Sequence, residues 1–202
     1  MIDQLIQWDT SLFLFLNTAP ANPLFDAFFV FITEGRNWLI PGIIMAAVFV
    51  SVKRKQAVVV LLLGFLVICL TDPIAYRIFK PWIGRYRPSH PDHFVEGARF
   101  LIGYRGGYSF PSNHASNVFG LATFLTFFYP RKWGWYFGIA GAVAFSRIYV
   151  GVHYPLDILG GLILGFFCGA GVFYAYRGAV FFIQSRWPSE RRIDELTPVG
   201  ED

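Results

Sequence analysis

Charge is scarce in this chain. Only 15% of its 202 residues are Asp, Glu, Lys or Arg, while 55% are hydrophobic and 19% aromatic; soluble domains carry about a quarter charged residues. That balance excludes an ordinary soluble domain and points to one membrane-embedded unit. Cysteine is nearly missing as well. Cys69 and Cys168 both lie inside apolar runs, as small core hydrophobes do, so they offer neither a disulfide framework nor a metal cluster. Residues 1–7 hold Asp3 but no Lys or Arg, which argues against a cleaved secretory leader and leaves the first span as the targeting signal. The formal net charge is +4. Several of the cations adjoin apolar runs, so the expected partner is anionic lipid and not nucleic acid. No obligate protein partner is evident.

Long apolar stretches are what the chain has instead. A helix needs about 20 mostly apolar residues to cross a bilayer, and five segments qualify: residues 37–52 (short), 56–79, 112–129, 133–150 and 155–176. Residues 2–17 form an amphipathic stretch broken at 19–23, read as an interfacial helix. Residues 22–33 either extend the first span outward as one long helix or make a sixth, partial crossing. The expected fold is an all-α integral membrane protein with five or six transmembrane helices and an N-terminal amphipathic interfacial helix. Its expected organisation is that helix (1–18), a membrane-embedded domain (19–180) and a cytoplasmic tail (181–202). Lys53, Arg54 and Lys55, then Arg131 and Lys132, then Arg177, Arg186, Arg191 and Arg192 all fall on one side of these spans. The positive-inside rule makes that side cytoplasmic. The ends at Lys80, Ser112, Arg147 and Pro155 then meet at the opposite face.

Those ends carry most of the chemistry-bearing residues, in the stretches KPWIGRYRP (80–88), SFPSNH (109–114) and SRIYVGVHYPLD (146–157). An ionisable side chain at membrane depth costs about 2.5–3.5 kcal/mol on insertion scales, so such residues mark function. Cations and helix starts together suit a phosphate, whose oxygens need several donors at once. Lys80 and Arg87 supply two cations seven residues apart, about two helical turns or a helix end plus a turn, with Pro88 expected to stop the helix. Arg147 adds a guanidinium fork able to grip two oxygens. Ser112 occupies an N-cap position, with Asn113 and His114 in the following turn, where free N–H groups attract anions. Pro155 is a favoured first helical residue; it places His153 just before the helix and Asp157 in its first turn. Asp157 can orient the His153 ring, making His153 the candidate nucleophile and His114 the candidate acid for the leaving oxygen. Two such histidines suit a two-step displacement through a phosphohistidine.

The remaining polar residues read as structural. His90, Asp92 and His93 match no zinc spacing, so no metal is expected. Asp72, before Pro73, is expected to pair with Arg77 or Lys80 and to mark a kink. Arg85, Arg99 and Arg105 read by default as solvated loop charges, with added positive potential at the site entrance as the alternative. The loop 89–108, with Phe94, Phe100, Leu101 and Ile102, is a candidate lid or interfacial foot.

Lys80, six residues, then Arg87 and Pro88; Pro111, Ser112, Asn113, His114; and Ser146, Arg147, five residues, His153, three residues, Asp157 together resemble the motifs of the type 2 phosphatidic acid phosphatase superfamily, which also includes the vanadium haloperoxidases. The resemblance runs from Lys80 to Asp157. It implies a helical membrane phosphatase without metal or other cofactor, with His153 as nucleophile, Asp157 as its orienter and His114 as general acid. Lys80, Arg87, Ser112 and Arg147 are then phosphate ligands. Asn113 stands where the family usually has Gly, and its amide is a further candidate donor. Small bacterial members that look like this chain are often isoprenoid-diphosphate phosphatases of the cell envelope. The resemblance therefore implies a multi-pass protein of the bacterial cytoplasmic membrane, its site facing the periplasm or outside. Undecaprenyl diphosphate is the leading substrate expectation, followed by phosphatidylglycerophosphate, phosphatidate and lipid A phosphate. The competing readings are a vanadate-dependent peroxide enzyme and a non-catalytic lipid-phosphate binding or transport protein.

Overall fold

Caps and prolines decide where the helices of this chain begin. The structure is a computed structural model describing residues 2–186; the expected polar tail lies mostly outside the described residues. The helices are α1 (Ile2–Thr18), α2 (Pro23–Thr33), α3 (Leu39–Pro73), α4 (Lys80–Ile83), α5 (Asn113–Phe128), α6 (Trp133–Tyr149) and α7 (Pro155–Arg186). There is no β-strand among the described residues, only an isolated bridge between Tyr86 and Tyr108. Asn22 caps α2, its side chain accepting from the Phe25 N–H at 2.9 Å with Pro23 at the first position. Ser112 caps α5 in the same way through the Ala115 N–H. The all-helical expectation holds.

Several boundaries differ from the sequence reading, each for a local reason. Residues 22–33 do not extend the next span as one long helix. Glu34 turns extended (φ −86°, ψ 109°), and Asn37 and Trp38 fold back so that their side-chain N–H groups donate to the Phe31 and Ile32 carbonyls that close α2. The expected loop at 53–55 shrinks to one residue: Arg54, at φ 45° and ψ −116°, breaks an otherwise continuous α3. After Pro73 the chain makes a π-helical turn, Ile74–Phe79, as inserted residues at functional helices often do. The helix then stops at Gly84 in the left-handed region (φ 65°), before Pro88 is reached. At the other end, α7 continues to Arg186, past residue 180 where the tail was expected to start.

Two helical stretches, Gly35–Ile83 and Pro155–Arg186, are long and apolar enough to cross a membrane. Their outward side chains, among them Ile40, Met45, Leu62, Phe65, Phe167 and Phe181, are exposed. A surface this apolar suits lipid and not water.

The core is built around α5, which packs on α3, α6 and, most extensively, α7. The α5–α7 contact is backbone on backbone. A Cβ at Gly165 would stand 2.5 Å from the Ser116 carbonyl oxygen and 2.6 Å from the Gly120 nitrogen, and one at Gly169 would stand 2.3 Å from the Gly120 oxygen. Small residues four apart, here Gly161, Gly165 and Gly169, let membrane helices approach this closely. Farther along, Val67, Phe124, Phe128, Val172 and Phe173 form a buried cluster.

α1 is amphipathic, but with its sides reversed from a soluble helix. Asp9, Phe13 and Asn17, spaced four apart on one face, are buried, while Leu5, Trp8, Leu12 and Phe15 are exposed. Phe13 packs edge-on against Tyr154 at 5.3 Å between ring centroids. Asn17 donates to the carbonyls of Arg99 (3.0 Å) and Tyr149 (2.8 Å) and accepts from the Arg99 N–H (2.7 Å). The helix read as interfacial is thus docked on the helical core and braces the long loop that follows α4.

Candidate active site

The chain between α6 and α7 places two of the expected site residues back to back. Arg147 sits in the last turn of α6, and its carbonyl accepts from the N–H groups of Val152 and His153. This tight return needs Gly151 at φ 88°, where a Cβ would stand 2.3 Å from the Arg99 carbonyl oxygen. His153 is 2% exposed and Asp157 fully buried. The Asp157 carboxylate lies 3.3 Å from His153 Nδ1 and accepts from the Tyr154 N–H at 2.9 Å. It therefore caps its own helix and holds the imidazole at once. On its other oxygen it receives Arg85 Nη1 at 3.2 Å and the Ser109 hydroxyl at 3.4 Å.

On the far side of the ring, His153 Nε2 faces Arg87 Nη1 at 3.2 Å. Burial, then the positive fields of Arg87 and Arg147, hold the His153 pKa well below the usual imidazole value. The ring is neutral at pH 7, its Nδ1–H donates to Asp157, and its Nε2 lone pair accepts from Arg87. The sign for stability follows. An unfolded chain takes up this proton near pH 6.5 and the folded one only well below that, so stability contributed by the neutral ring is present above about pH 6.5 and is lost on acidification. Arg87 itself is pushed below the usual guanidinium value by burial.

Arg87 also joins the ring to an open cavity of about 330 Å³, lined by Thr33, Glu34, Arg87, Arg105, His114 and Arg147 among others. The Arg147 fork is anchored on one side, Nη1 donating to the Thr33 hydroxyl at 2.5 Å. The Nε–H groups of Arg87 and Arg147 are buried and meet no acceptor among the described residues. Buried donors of this kind are costly unless an acceptor arrives, and two guanidiniums beside a third suit a multivalent oxyanion. The chemistry available is an oxyanion cradle with one oriented, neutral imidazole behind it and a second imidazole at its edge.

The other expected site residues land around this cavity and not in its lining. Lys80 is buried, and its ammonium donates to the carbonyls of Tyr108 (3.0 Å), Ser109 (3.2 Å) and Pro111 (3.1 Å), tying down the segment that leads into α5. Ser112 is fully buried as the α5 cap. Asn113 turns toward α3, its amide donating to Asp72 Oδ1 at 2.8 Å. Asp72 thus meets Asn113 and Asn117, in place of the expected Arg77 or Lys80. His90 and His93 stack around Tyr86 at 4.6 and 4.5 Å between ring centroids, and no cluster with metal-ligand character occurs among the described residues.

The sequence reading missed three residues and held two others only as a second possibility. Thr33 and Glu34 reach the cavity because α2 ends there; the break at Glu34 was their only signal. Arg105, read by default as a solvated charge and otherwise as positive potential at the entrance, lines the cavity. Arg85 was read the same way, although it lies inside KPWIGRYRP, and it pairs with Asp157 and, through Nη2 at 2.6 Å, with Asp9. Asp9, a carboxylate amid the apolar residues of α1, was legible only as an oddity.

Known proteins resemble this chain in sequence and in fold. The lipid A 4'-phosphatase of Porphyromonas gingivalis is 32% identical over 190 residues, covering 92% of this chain and 78% of that protein. The undecaprenyl-diphosphatase of Sulfolobus acidocaldarius is 32% identical over 166 residues, covering 81% of this chain and 76% of that protein. The crystal structure of Aquifex aeolicus LpxE superposes with a TM-score of 0.57 at 28% identity, over 81% of this chain and 93% of the other. A transmembrane PAP2-type phosphatidylglycerolphosphate phosphatase from Bacillus subtilis shares the fold, with a TM-score of 0.57 at 24% identity over 89% of this chain and 88% of that one. The family model for the PAP2 superfamily matches residues 58–181, and with the cradle and its two histidines this makes the chain a membrane phosphatase belonging to that superfamily.

Proposed function

We propose that this lipid phosphatase transfers phosphate to His153, and that its substrate is a phosphate monoester on the sugar head group of lipid A. Arg87 and Arg147 take the phosphate oxygens through the donors that meet no acceptor among the described residues. As Arg87 turns to the phosphate, the Nε2 lone pair of His153 is freed and attacks phosphorus. The bond from phosphorus to the lipid oxygen breaks, and His114, which takes up a proton from water as the phosphate dianion arrives beside it, passes that proton to the leaving oxygen. Water then attacks the phosphohistidine, giving its proton to His114, and inorganic phosphate leaves with the His153 ring restored. Asp157 keeps the ring's Nδ1–H fixed through both steps. The basic turns at 53–55 and 131–132 support a site on the outer side of the bacterial cytoplasmic membrane.

Glu34 is the observation that favours a sugar phosphate over undecaprenyl diphosphate. Its carboxylate lines the cavity yet forms no ion pair among the described residues. Beside a diphosphate it adds only repulsion; beside a sugar it accepts a hydrogen bond from a hydroxyl. The relatives named lipid A 4'-phosphatase, from Porphyromonas gingivalis and from Bacteroides thetaiotaomicron at 33% identity, support the same choice. The second reading, undecaprenyl diphosphate, rests on the diphosphatase relatives.

Phosphate release from a panel of lipid phosphates in detergent, with chelator present, separates the two. Lipid A phosphate is expected to show the highest kcat/KM, and Glu34→Gln is expected to lower that value about tenfold, the scale of a hydrogen bond to a charged group. The same variant should raise turnover of undecaprenyl diphosphate. A wild type that prefers the diphosphate selects the second reading.

A further inference from the structure

The mechanism uses Asp157 but says nothing of what stands behind it. Asp157 is fully buried, and a carboxylate in such a place takes up a proton unless a cation and donors hold it ionised. The groups facing it come from every side. The loop after α4 brings Arg85 and Ser109, the loop before α7 brings His153 and the Tyr154 N–H, and α1 brings Asp9 behind Arg85. The fields of Lys80 and Arg87 also reach it. Of the cations, Arg85 is the one in contact, at 3.2 Å.

Arg85 is itself gripped on three sides. Its second nitrogen meets Asp9 Oδ2 at 2.6 Å, and its guanidinium lies 3.8 Å above the centre of the Tyr154 ring. Asp9 Oδ1 accepts from the Leu156 N–H at 2.9 Å, within the first turn of α7. Asp9, Arg85, Asp157 and His153 therefore form one continuous chain of contacts from the N-terminal helix to the imidazole. A guanidinium shared by two buried carboxylates is not free to swing toward the phosphate, unlike Arg87 and Arg147.

We propose that Arg85, clamped by Asp9, is a positioning residue for the phosphatase reaction: it keeps Asp157 ionised and aimed at His153 Nδ1, so that Nε2 presents its lone pair. The proposal rests on His153 being the nucleophile. Loss of Arg85 lets Asp157 take up a proton, and a neutral carboxylic acid no longer fixes the imidazole tautomer.

The test is a double-mutant cycle on the purified full chain, with the pH dependence of kcat/KM and the thermal midpoint measured for each variant. Arg85→Met is expected to lose about a hundredfold near neutrality. Its deficit relative to wild type should shrink as pH rises from about 6 to about 9, because the proton on Asp157 is then removed. Arg85→Lys should retain the wild-type profile shape. Arg85→Met combined with Asp157→Asn should be no slower than Asp157→Asn alone, since Arg85 acts through that carboxylate. Additive losses, or a deficit independent of pH, would overturn the proposal and leave Arg85 a structural ion pair. If Arg85→Met does not fold, Arg85→Gln carries the same cycle. Full activity in both His153→Ala and Asp157→Asn would instead remove the nucleophile assignment, and this inference with it.

Discussion

Alanine at His153 is expected to cut lipid-phosphate turnover by at least about a thousandfold, the scale of removing a nucleophile that works as a unit with its partners. The side chain touches Asp157 on one edge and Arg87 on the other, so its removal deletes the attacking lone pair and leaves Arg87 and Asp157 facing a small hole. Phosphate release in detergent, normalised to monodisperse protein, measures the loss. Binding should survive, because the cation cradle of Arg87, Arg147 and Arg105 is untouched; the variant should still bind a lipid phosphate while failing to hydrolyse it. Turnover within tenfold of wild type would move the nucleophile elsewhere and would favour the reading in which the cations only clamp a head group.

Leucine at Gly165 is expected to abolish recovery of folded protein. Even a Cβ there would stand 2.5 Å from the Ser116 carbonyl and 2.6 Å from the Gly120 nitrogen, and these are main-chain atoms that cannot rotate away. Overpacking of this kind typically costs about 1–3 kcal/mol, a large fraction of a marginal stability of about 5–15 kcal/mol. The larger side chain must in addition part α5 from α7, which carry His114 and Asp157 in their first turns. Gly171 is the control on the same helix: a Cβ there meets nothing within 4 Å, so Gly171→Leu should elute and turn over like the wild type. Equal behaviour of the two variants in size-exclusion chromatography would refute the close-packed α5–α7 seam.

The helices were legible because long apolar runs of this kind fold as helices when no water is there to satisfy the backbone. Residues 133–150 differ from α6 by one residue, and Ser112 and Pro155 announced the starts of α5 and α7 by ordinary capping chemistry. The cavity residues Arg87, His114 and Arg147 stood out as ionisable groups in apolar surroundings. What escaped was everything set by long-range contact. Thr33 and Arg147 are 114 positions apart, and Asp9 and Arg85 are 76 apart, so neither pairing leaves a local pattern. Lys80 shows the converse. Its position in a motif gave no sign that three main-chain carbonyls would surround its ammonium, because acceptors of that kind carry no side-chain signature.

One detail of the resting site bears on selectivity. Arg87 sits against the lone pair of His153 while its own Nε–H lacks a mate among the described residues, so under the proposed mechanism the imidazole is guarded by the very group that an incoming anion recruits. Arrival of negative charge and unlocking of the attacking atom become a single event. An uncharged ester of similar shape gives the guanidinium no reason to let go, and is refused for its lack of charge before size or fit is consulted.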